Sequence, residues 1–483
     1  MIYLDARRKV SVVTSLDAIV RSVALIIFVI TMAYNGPLVV MGVLFARRAD
    51  GSLGKQLALE DGPPVVVPAG WSVFVLVPCL NEAKVIANTV HCLLNSQPGV
   101  RVIVVDDGSD DDTADLAEAT GAGRIAVVQR TLPEARRGKG AALNAGLRYI
   151  RSRVENEGLE PGRVLVCVLD ADGRMTPGAV ACVTELFEQA EVGGAQLAVR
   201  IRGRDNVALR FQDIEFWALS ALSQFGRVAM GAVSMGGNGQ FTRLSALDDV
   251  GERPWSDSLT EDLDLGISLA VEGWTVTSTM GAFVSQQGLS DARRLLRQRT
   301  RWFQGHMSAM VRLPELWSAS GIRLTVRAEL TGYLFMPYLI TLPWSVIQQY
   351  LLIRLVCGPN SGLFDLATGP VWVQVLSGMG LYALTFGCFL VWALMYWRRT
   401  GDQPLGKSVA YLHAQPIWMY IAFIAAWRAV WRILSRRRGW NKTERVEENP
   451  VAATSRNAAI SPFISSTAGE YASSAKAESA ADL

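Results

Sequence analysis

The stretch VRVIVVDDGSDDDT, residues 100–113, decides the fold class of this chain. An almost continuous apolar run ends abruptly in two aspartates, a glycine and a serine. A short apolar run bounded by turn residues is typical of a strand that is buried on both faces. Three more runs in the same part of the chain predict such strands: VFVLVP (73–78), RIAVVQR (124–130) and RVLVCVLDAD (163–172).

Helical patterns separate these strands, at about Lys84–Asn95, Thr113–Thr120 and Gly140–Ser152. Strands that alternate with helices predict an α/β domain in which a mostly parallel sheet has helices on both faces. Ligands of such domains bind at the carboxyl ends of the strands. The polar clusters of this segment fall at those ends.

The composition indicates a membrane protein. Half of the 483 residues are hydrophobic and 19% are charged, and the mean hydropathy is +0.23, which is high for a soluble chain of this length. A net charge of +3 is too small to indicate nucleic-acid binding. Three histidines and six cysteines without HExxH or CxxC spacing argue against a zinc site.

Four apolar blocks are each long enough to cross a bilayer, which takes about 20 residues. The first is too long to be a cleaved signal peptide. Tryptophan and tyrosine occur at the block ends, as they do at membrane interfaces. The blocks are approximately Ala18–Phe45, Val326–Val356, Val371–Trp397 and Val409–Leu434.

The positive-inside tendency favours a cytoplasmic domain at about 70–310, because Arg47-Arg48 and Arg398-Arg399 then lie inside and the loop Cys357–Pro370, without Lys or Arg, lies outside. We expect a multi-pass protein of the bacterial inner membrane.

The number of crossings stays open at this level. Four single crossings would place the basic residues at 7–9 and 436–438 outside. Asn35-Gly36-Pro37 can instead divide the first block into a hairpin, and the region His413–Pro416 can make the last block re-entrant.

The chain therefore divides into five predicted parts. The last of them is rich in Ala and Ser and is predicted to be disordered. In order, they are an N-terminal membrane segment (1–48), the α/β domain (70–288), an interfacial amphipathic helix region (289–320), a C-terminal membrane region of about three segments (326–434) and the tail (441–483).

Two acidic clusters close predicted strands. Asp106-Asp107 can accept hydrogen bonds from a base and a ribose, although an ordinary Asx turn has the same residues. Asp170 and Asp172 can converge on Mg²⁺ or Mn²⁺ bridged to a diphosphate, whereas a solvated acidic turn is the alternative.

Two further clusters lie at predicted helix starts. In Thr260-Glu261-Asp262, Asp262 can be a general base, and the alternative is a capping run whose acids favour the first turn. Lys139, in the run Arg137–Ala141, suits an anion such as diphosphate at a helix start, and the alternative is a solvated loop.

Six motifs in this order resemble the family 2 glycosyltransferases, in particular the membrane-embedded branch with the cellulose, chitin, hyaluronan and poly-N-acetylglucosamine synthases. The resemblance covers about residues 70–310 and the flanking membrane blocks, and it implies a GT-A fold. The motifs are VPCLNE (77–82), VVDDGSDDDT (104–113), GKGAALNAG (138–146), LDADG (169–173), TED (260–262) and QRTRW (298–302).

The resemblance implies roles for particular residues. It implies an inverting transfer from a UDP-sugar, with Asp262 as base and Glu261 beside it. It places a metal–diphosphate at Asp170 and Asp172. The implied uridine pocket comprises Pro78, Asn81, Glu82, Asp106 and Asp107, and the implied acceptor and diphosphate residues are Gln298, Arg301 and Trp302.

The leading interpretation is a processive synthase that extends a β-linked polysaccharide and couples this to export. The alternative is a lipid glycosyltransferase that adds one or a few sugars to diacylglycerol or a similar lipid. A catalytically silent membrane scaffold is a third possibility. SMGGNGQFTR (234–243) lacks the cysteine-containing form of cellulose synthases, which leaves sugar and acceptor open. The expected partners are a UDP-sugar, a glycan or lipid acceptor and membrane lipids, and the sequence identifies no protein partner.

Overall fold

The four apolar runs form neighbouring parallel strands, as predicted. The computed structural model describes residues 2–52, 65–357, 370–437 and 445–448. Strand β2 pairs with β1 and β3, and β1 also pairs with β4, all in parallel. The bounds are β1 Ser72–Cys79, β2 Arg101–Asp106, β3 Ile125–Gln129 and β4 Val164–Val168.

Four later strands extend the sheet, and the apolar pattern did not predict them. The order in the described residues is β3-β2-β1-β4-β7-β6-β8-β5. Strand β7 is antiparallel to β4 and β6, whereas β6 and β8 are parallel, so the sheet is mixed but mostly parallel. The bounds are β5 Arg174–Met175, β6 Val192–Arg202, β7 Gln240–Arg243 and β8 Thr275–Gln287.

Helices cover both faces of the sheet, which confirms the α/β prediction. On one face, Val75 and Val104 pack with Ile86. On the other, Leu76 packs with Leu147. The helices of this domain are α2 Ile86–Ser96, α3 Thr113–Gly121, α4 Lys139–Glu157, α5 Ala179–Leu186, α6 Val207–Ile214, α7 Ala221–Val228, α8 Leu244–Val250 and α9 Glu261–Val271.

The remaining helices belong to the interfacial and membrane regions. A π-helical turn, Glu215–Ser220, joins α6 to α7, and another, Pro337–Thr341, joins α12 to α13. The helices are α1 Ile2–Ser52, α10 Ala292–Ser308, α11 Leu313–Ser318, α12 Leu324–Met336, α13 Leu342–Cys357, α14 Val371–Thr400, α15 Leu405–Trp418 and α16 Tyr420–Leu434.

Three helical stretches of the described residues are long and apolar enough to cross a membrane: Ser22–Arg47, Leu324–Tyr350 and Leu405–Leu434. The first is one uninterrupted helix through Pro37, so Asn35-Gly36-Pro37 does not form a hairpin. Within it, the Thr31 hydroxyl donates to Ile27 O at 2.7 Å and Asn35 Nδ2 to Thr31 O at 3.0 Å. Polar side chains of this kind help a membrane helix to tolerate proline.

A buried carboxylate ties the membrane helices to the sheet. Asp213, at the end of α6, is 0% exposed. Its oxygens accept hydrogen bonds from Arg200 Nε (3.1 Å), from the Ile201 N–H (2.8 Å) and from the Tyr396 hydroxyl (2.7 Å). Since these partners belong to β6 and α14, one side chain fixes α6 and α14 against the sheet.

The last apolar block contacts the α/β domain and its interfacial helices at both of its ends. Just before α15, Asp402 pairs with Arg210 of α6 at 2.7 Å. At the far end, Arg432 Nε donates to Gln304 Oε1 of α10 at 2.6 Å. Gln304 Nε2 in turn donates to Arg437 O at 2.7 Å. Both ends of Leu405–Leu434 therefore lie on the side of the membrane helices that faces the α/β domain.

The tail requires a correction. The described residues Arg445–Glu448 lie against the carboxyl end of β8, inside the range predicted to be disordered. The Val446 N–H donates to Gln287 Oε1 at 3.1 Å, and Gln287 Nε2 donates to Val446 O at 2.8 Å. The disorder prediction was based on composition, which carries no information about hydrogen bonds between residues far apart in the chain. The rest of the predicted tail, 441–444 and 449–483, lies outside the described residues.

Candidate functional site

The loops that follow β1 and β2 hold each other in place. Asn81 has a left-handed backbone, with φ of 52°. Its N–H donates to Ser109 Oγ at 2.8 Å, and its Oδ1 accepts from the Asp110 N–H at 2.8 Å. The Glu82 N–H donates to Thr113 Oγ1 at 2.8 Å. Asn81 therefore fixes the loop rather than facing the cavity described below.

The paired aspartates at the end of β2 differ in their surroundings. Asp106 closes its own turn, accepting hydrogen bonds from the N–H and hydroxyl of Ser109, so the Asx-turn alternative describes it well. Asp107 lines the cavity and pairs with Arg130. Burial raises the pKa of Asp107, and the Arg130 guanidinium opposes that shift.

Lys139, at the start of α4, lies among two carboxylates and a backbone carbonyl. Its Nζ is 2.7 Å from Asp170 Oδ1, 2.8 Å from Gly237 O and 3.6 Å from Glu261 Oε1. Burial opposes its charge, but Asp170 and Glu261 outweigh burial and raise the pKa of Lys139. Burial likewise opposes the charge of Asp170, and Lys139 outweighs it, so that the pKa of Asp170 is lowered.

Asp172 has different partners from Asp170. Its residue exposure is 1%. Its Oδ1 lies 3.0 Å from an Arg445 guanidinium nitrogen, and its Oδ2 accepts from the Gln287 N–H at 3.0 Å. No group of three or more His, Cys, Asp or Glu within the described parts of the chain is arranged to hold a metal. A cation at Asp172 would therefore take most of its ligands from a bound substrate.

The Thr260-Glu261-Asp262 motif begins α9. Thr260 makes no side-chain capping hydrogen bond. The capping alternative is therefore only partly correct, because Glu261 and Asp262 lie in the first turn of α9 but Thr260 does not cap the helix. Burial, reinforced by the neighbouring Glu261, raises the pKa of Asp262 to about 7. A Cβ on Gly237 would lie 2.7 Å from Lys139 Nζ and 3.3 Å from Asp262 Oδ2. The glycine thus lets the SMGGNG backbone approach both groups.

Helix α10 brings Gln298, Arg301 and Trp302 to the same cavity. A Cβ on Gly305 would lie 2.5 Å from the Thr260 side chain, so glycine here permits α10 to pack against the start of α9. Arg301 Nε is buried and has no hydrogen-bond partner among the described residues. Burial lowers the pKa of Arg301, against the pull of Glu261 and Asp170.

Trp302 is held in place from two sides. Its ring meets Phe216 edge-on at 6.0 Å, and the Arg299 guanidinium lies 4.5 Å from its centroid. Arg299 also pairs with Glu215. These contacts fix the indole at the border between the catalytic domain and the membrane helices.

A single cavity of about 1760 Å³ joins most of the predicted residues. Asn81, Asp106 and Asp172 are not in its lining. The predicted residues that line it are Pro78, Glu82, Asp107, Lys139, Asp170, Glu261, Asp262, Gln298, Arg301 and Trp302.

Three further lining residues were missed from the sequence. Asn238 Oδ1 accepts from the Asp170 N–H at 3.1 Å, and Gln196 Nε2 donates to Asn238 O at 2.7 Å. Arg445 comes from the tail. The glycines around Asn238 were a usable signal, whereas nothing local marked Gln196 or Arg445.

Comparison with known proteins agrees with this geometry. Residues 68–305 match the model described as glycosyltransferase like family 2. The β-monoglucosyldiacylglycerol synthase of Trichormus variabilis is 28% identical over 338 residues, which is 67% of this chain and 66% of that protein. The poly-β-1,6-N-acetyl-D-glucosamine synthase of Staphylococcus epidermidis is 27% identical over 249 residues, 50% of this chain and 56% of that one. The chain thus spans somewhat less than two thirds of these relatives.

A solved structure with the same fold is a mannosyltransferase from Pyrobaculum calidifontis in complex with GDP-Man and Mn²⁺. It has a TM-score of 0.50 and 16% identity, and the match covers 86% of this chain and 99% of that one. This likeness supports the GT-A fold. The motifs, their convergence on one cavity and the family match agree, and residues 68–305 form a family 2 glycosyltransferase domain.

Proposed function

We propose that this enzyme transfers a hexose from a UDP-sugar to the hydroxyl of a membrane lipid such as diacylglycerol, with inversion at the anomeric carbon. One observation supports this acceptor above all. The cavity that contains Asp262 and Arg301 continues between the membrane helices, where its lining is mainly apolar.

The apolar part of the cavity suits acyl chains. Its walls come from α1, α13, α14 and α16, among them Phe28, Trp344, Phe389 and Phe423. A glycan threaded there would bury many hydroxyl groups, each of which costs free energy unless it finds a hydrogen-bond partner. Acyl chains in the same space would gain about 25 cal/mol for each Å² of apolar surface removed from water.

Polymer synthesis is the second candidate. The complete QxxRW motif and the relatives that are named poly-β-1,6-N-acetyl-D-glucosamine synthases favour it. The cavity-lining indole of Trp302 would offer a stacking surface to an acceptor sugar. The β-monoglucosyldiacylglycerol synthases match a longer part of the chain, which together with the apolar lining favours the lipid.

The proposed chemistry is a single displacement. The Asp262 carboxylate removes the proton from the acceptor hydroxyl, whose oxygen bonds to the anomeric carbon as the bond to the UDP oxygen breaks. Negative charge then develops on the diphosphate, toward the buried and unpaired Arg301 Nε and toward Lys139. With an α-linked donor the product is a β-glycoside.

The donor would lie at the carboxyl ends of the strands. Pro78, Glu82 and Asp107 would face the uridine there, with Asn81 and Asp106 holding the loops. Asp172, with Asp170 beside it, would hold Mg²⁺ or Mn²⁺, which supplies Lewis-acid stabilisation of the leaving diphosphate. The oxygen ligands and the buried negative charge at Asp172 suit such a hard cation.

The contacts at the two ends of the last apolar block support a proposed orientation. Residues 445–448 and the catalytic domain lie on one side, so the chain between them crosses the membrane an even number of times. We infer that α12–α13 and α14 cross, whereas Leu405–Leu434 returns to its own side. Despite its length, both ends of that block contact the catalytic side. The catalytic domain, Arg436 and Arg437 are then cytoplasmic, and the start of α1 lies outside.

Product analysis tests the acceptor. In proteoliposomes with diacylglycerol, Mn²⁺ and radiolabelled UDP-glucose or UDP-N-acetylglucosamine, we expect label in an organic-soluble glycolipid. Asp262→Asn should lower the rate about 10²–10⁴-fold, the usual contribution of a general base, while UDP binding persists. Alcohol-insoluble polymer would favour the second candidate instead, and absence of transfer from every donor would contradict both.

The raised pKa of Asp262 predicts a pH dependence. Since the base acts as its carboxylate, kcat/KM should rise with pH up to about 7 and then level off. Glu261→Gln removes a like charge, so the acid limb should move to lower pH. Asp264→Asn, in the same helical turn but paired with Arg312, is the control that should leave the limb in place. If Glu261→Gln left the acid limb of the pH profile in place, Asp262 would not be the group that causes this limb.

Alkaline phosphatase fusions test the orientation, because the reporter is active only outside the cytoplasm. Fusions at Gly401 and after Leu483 should be inactive, and a fusion within residues 358–369 should be active. High activity at Leu483 would show that the last block crosses, which would contradict the proposed topology.

A further inference from the structure

Residues Arg445–Glu448, here called the strap, close over the edge of the donor site. Glu448 pairs with Arg202 at 2.6 Å and also with Arg174. Gln287 Nε2 donates to Glu448 Oε1 at 2.9 Å, in addition to the two bonds that join Gln287 to Val446. The strap is thus anchored to β5, β6 and β8 by side-chain contacts.

The anchored strap places Arg445 beside Asp172. The Asp172 side chain is 0% exposed and that of Arg445 only 14%. Of the two Asp172 oxygens, Oδ2 accepts a hydrogen bond from the Gln287 N–H, whereas Oδ1 is in an ion pair with the Arg445 guanidinium and accepts no hydrogen bond from the described residues. A cation from solvent therefore cannot reach Oδ1 while Arg445 stays in place.

For electrostatic reasons, Asp172 cannot hold Arg445 and a metal ion at the same time. A guanidinium and a divalent cation on one carboxylate oxygen would repel each other strongly in a buried place. Without either, Asp172 would be a buried carboxylate with no positive partner, which is costly. Arg445 thus balances the Asp172 charge until a metal replaces it.

We propose that the strap is a metal-displaced latch: Arg445 and the catalytic divalent cation compete for Asp172, and loading of the metal releases residues 445–448 from β8. This rests on the proposed role of Asp172 as a metal ligand. The latch limits metal binding in the absence of donor, and the donor diphosphate favours the released state by adding ligands to the cation.

Mn²⁺ binding to the full-length protein without nucleotide, measured by EPR of the free ion, tests the competition. Arg445→Ala should bind Mn²⁺ about tenfold more tightly than the wild type, equivalent to about 1.4 kcal/mol. Glu448→Ala should also tighten binding. Loss of the nearby Glu448 carboxylate would by itself weaken cation binding, so tighter Mn²⁺ binding by Glu448→Ala would indicate release of the strap. Glu447→Ala, an exposed neighbour in the strap, is the matched control and should bind like the wild type.

Hydrogen–deuterium exchange of the unmodified protein supplies a second readout. The Val446 N–H is bonded to Gln287, so its peptide should exchange slowly at rest and faster with saturating Mn²⁺. Equal or weaker Mn²⁺ binding by Arg445→Ala, or unchanged exchange on loading, would overturn the latch while leaving the transferase proposal intact. No Mn²⁺ binding by any of these proteins, with or without UDP, would overturn the metal site and the latch together.

Discussion

One ammonium group holds the parts of the candidate site together. Lys139 Nζ contacts Asp170, Gly237 O and Glu261, so it links the end of β4, the SMGGNG loop and the start of α9. These elements bring carboxylates together, and Lys139 makes the direct contacts with them, while Arg301 and Arg445 supply further positive charge. Buried like charges repel strongly, and the positions of the loop and of α9 therefore depend on this side chain. Burial, with a smaller contribution from the charge of Glu261, raises the pKa of Asp262 to about 7.

The membrane helices extend the site rather than merely anchoring it. Helix α10 packs against Thr260 through Gly305, and Asp213 fixes α14 through Tyr396. These contacts place an apolar cavity directly beside the proposed base. Under the proposed function, a soluble sugar donor and a lipid acceptor would meet at the membrane surface.

The sequence predicted those parts of the fold that local patterns determine. Strands β1 to β4 are continuous apolar runs that end in turn residues. Strands β6 and β8 were missed because they include buried polar residues such as Gln196 and Ser278, whose side chains hydrogen-bond to distant parts of the chain.

The candidate site likewise contains residues that the sequence could predict and residues that it could not. Adjacent aspartates look alike in sequence, yet Asp106 closes a turn and Asp107 lines the cavity, because the register of β2 sets which one faces inward. Arg445 could not be predicted, since its partner Asp172 lies 273 positions earlier in the chain. The proposed return of the last block likewise rests on long-range contacts, because its length and hydropathy are those of a crossing helix.

The most direct test is a cryo-EM structure of Asp262→Asn in lipid nanodiscs with UDP-sugar, Mn²⁺ and diacylglycerol. The proposed mechanism predicts a metal ion between Asp172 and the diphosphate, and acyl-chain density in the apolar cavity with the lipid hydroxyl beside residue 262. A glycan chain in that cavity, or a metal ion that does not contact Asp172, would contradict it.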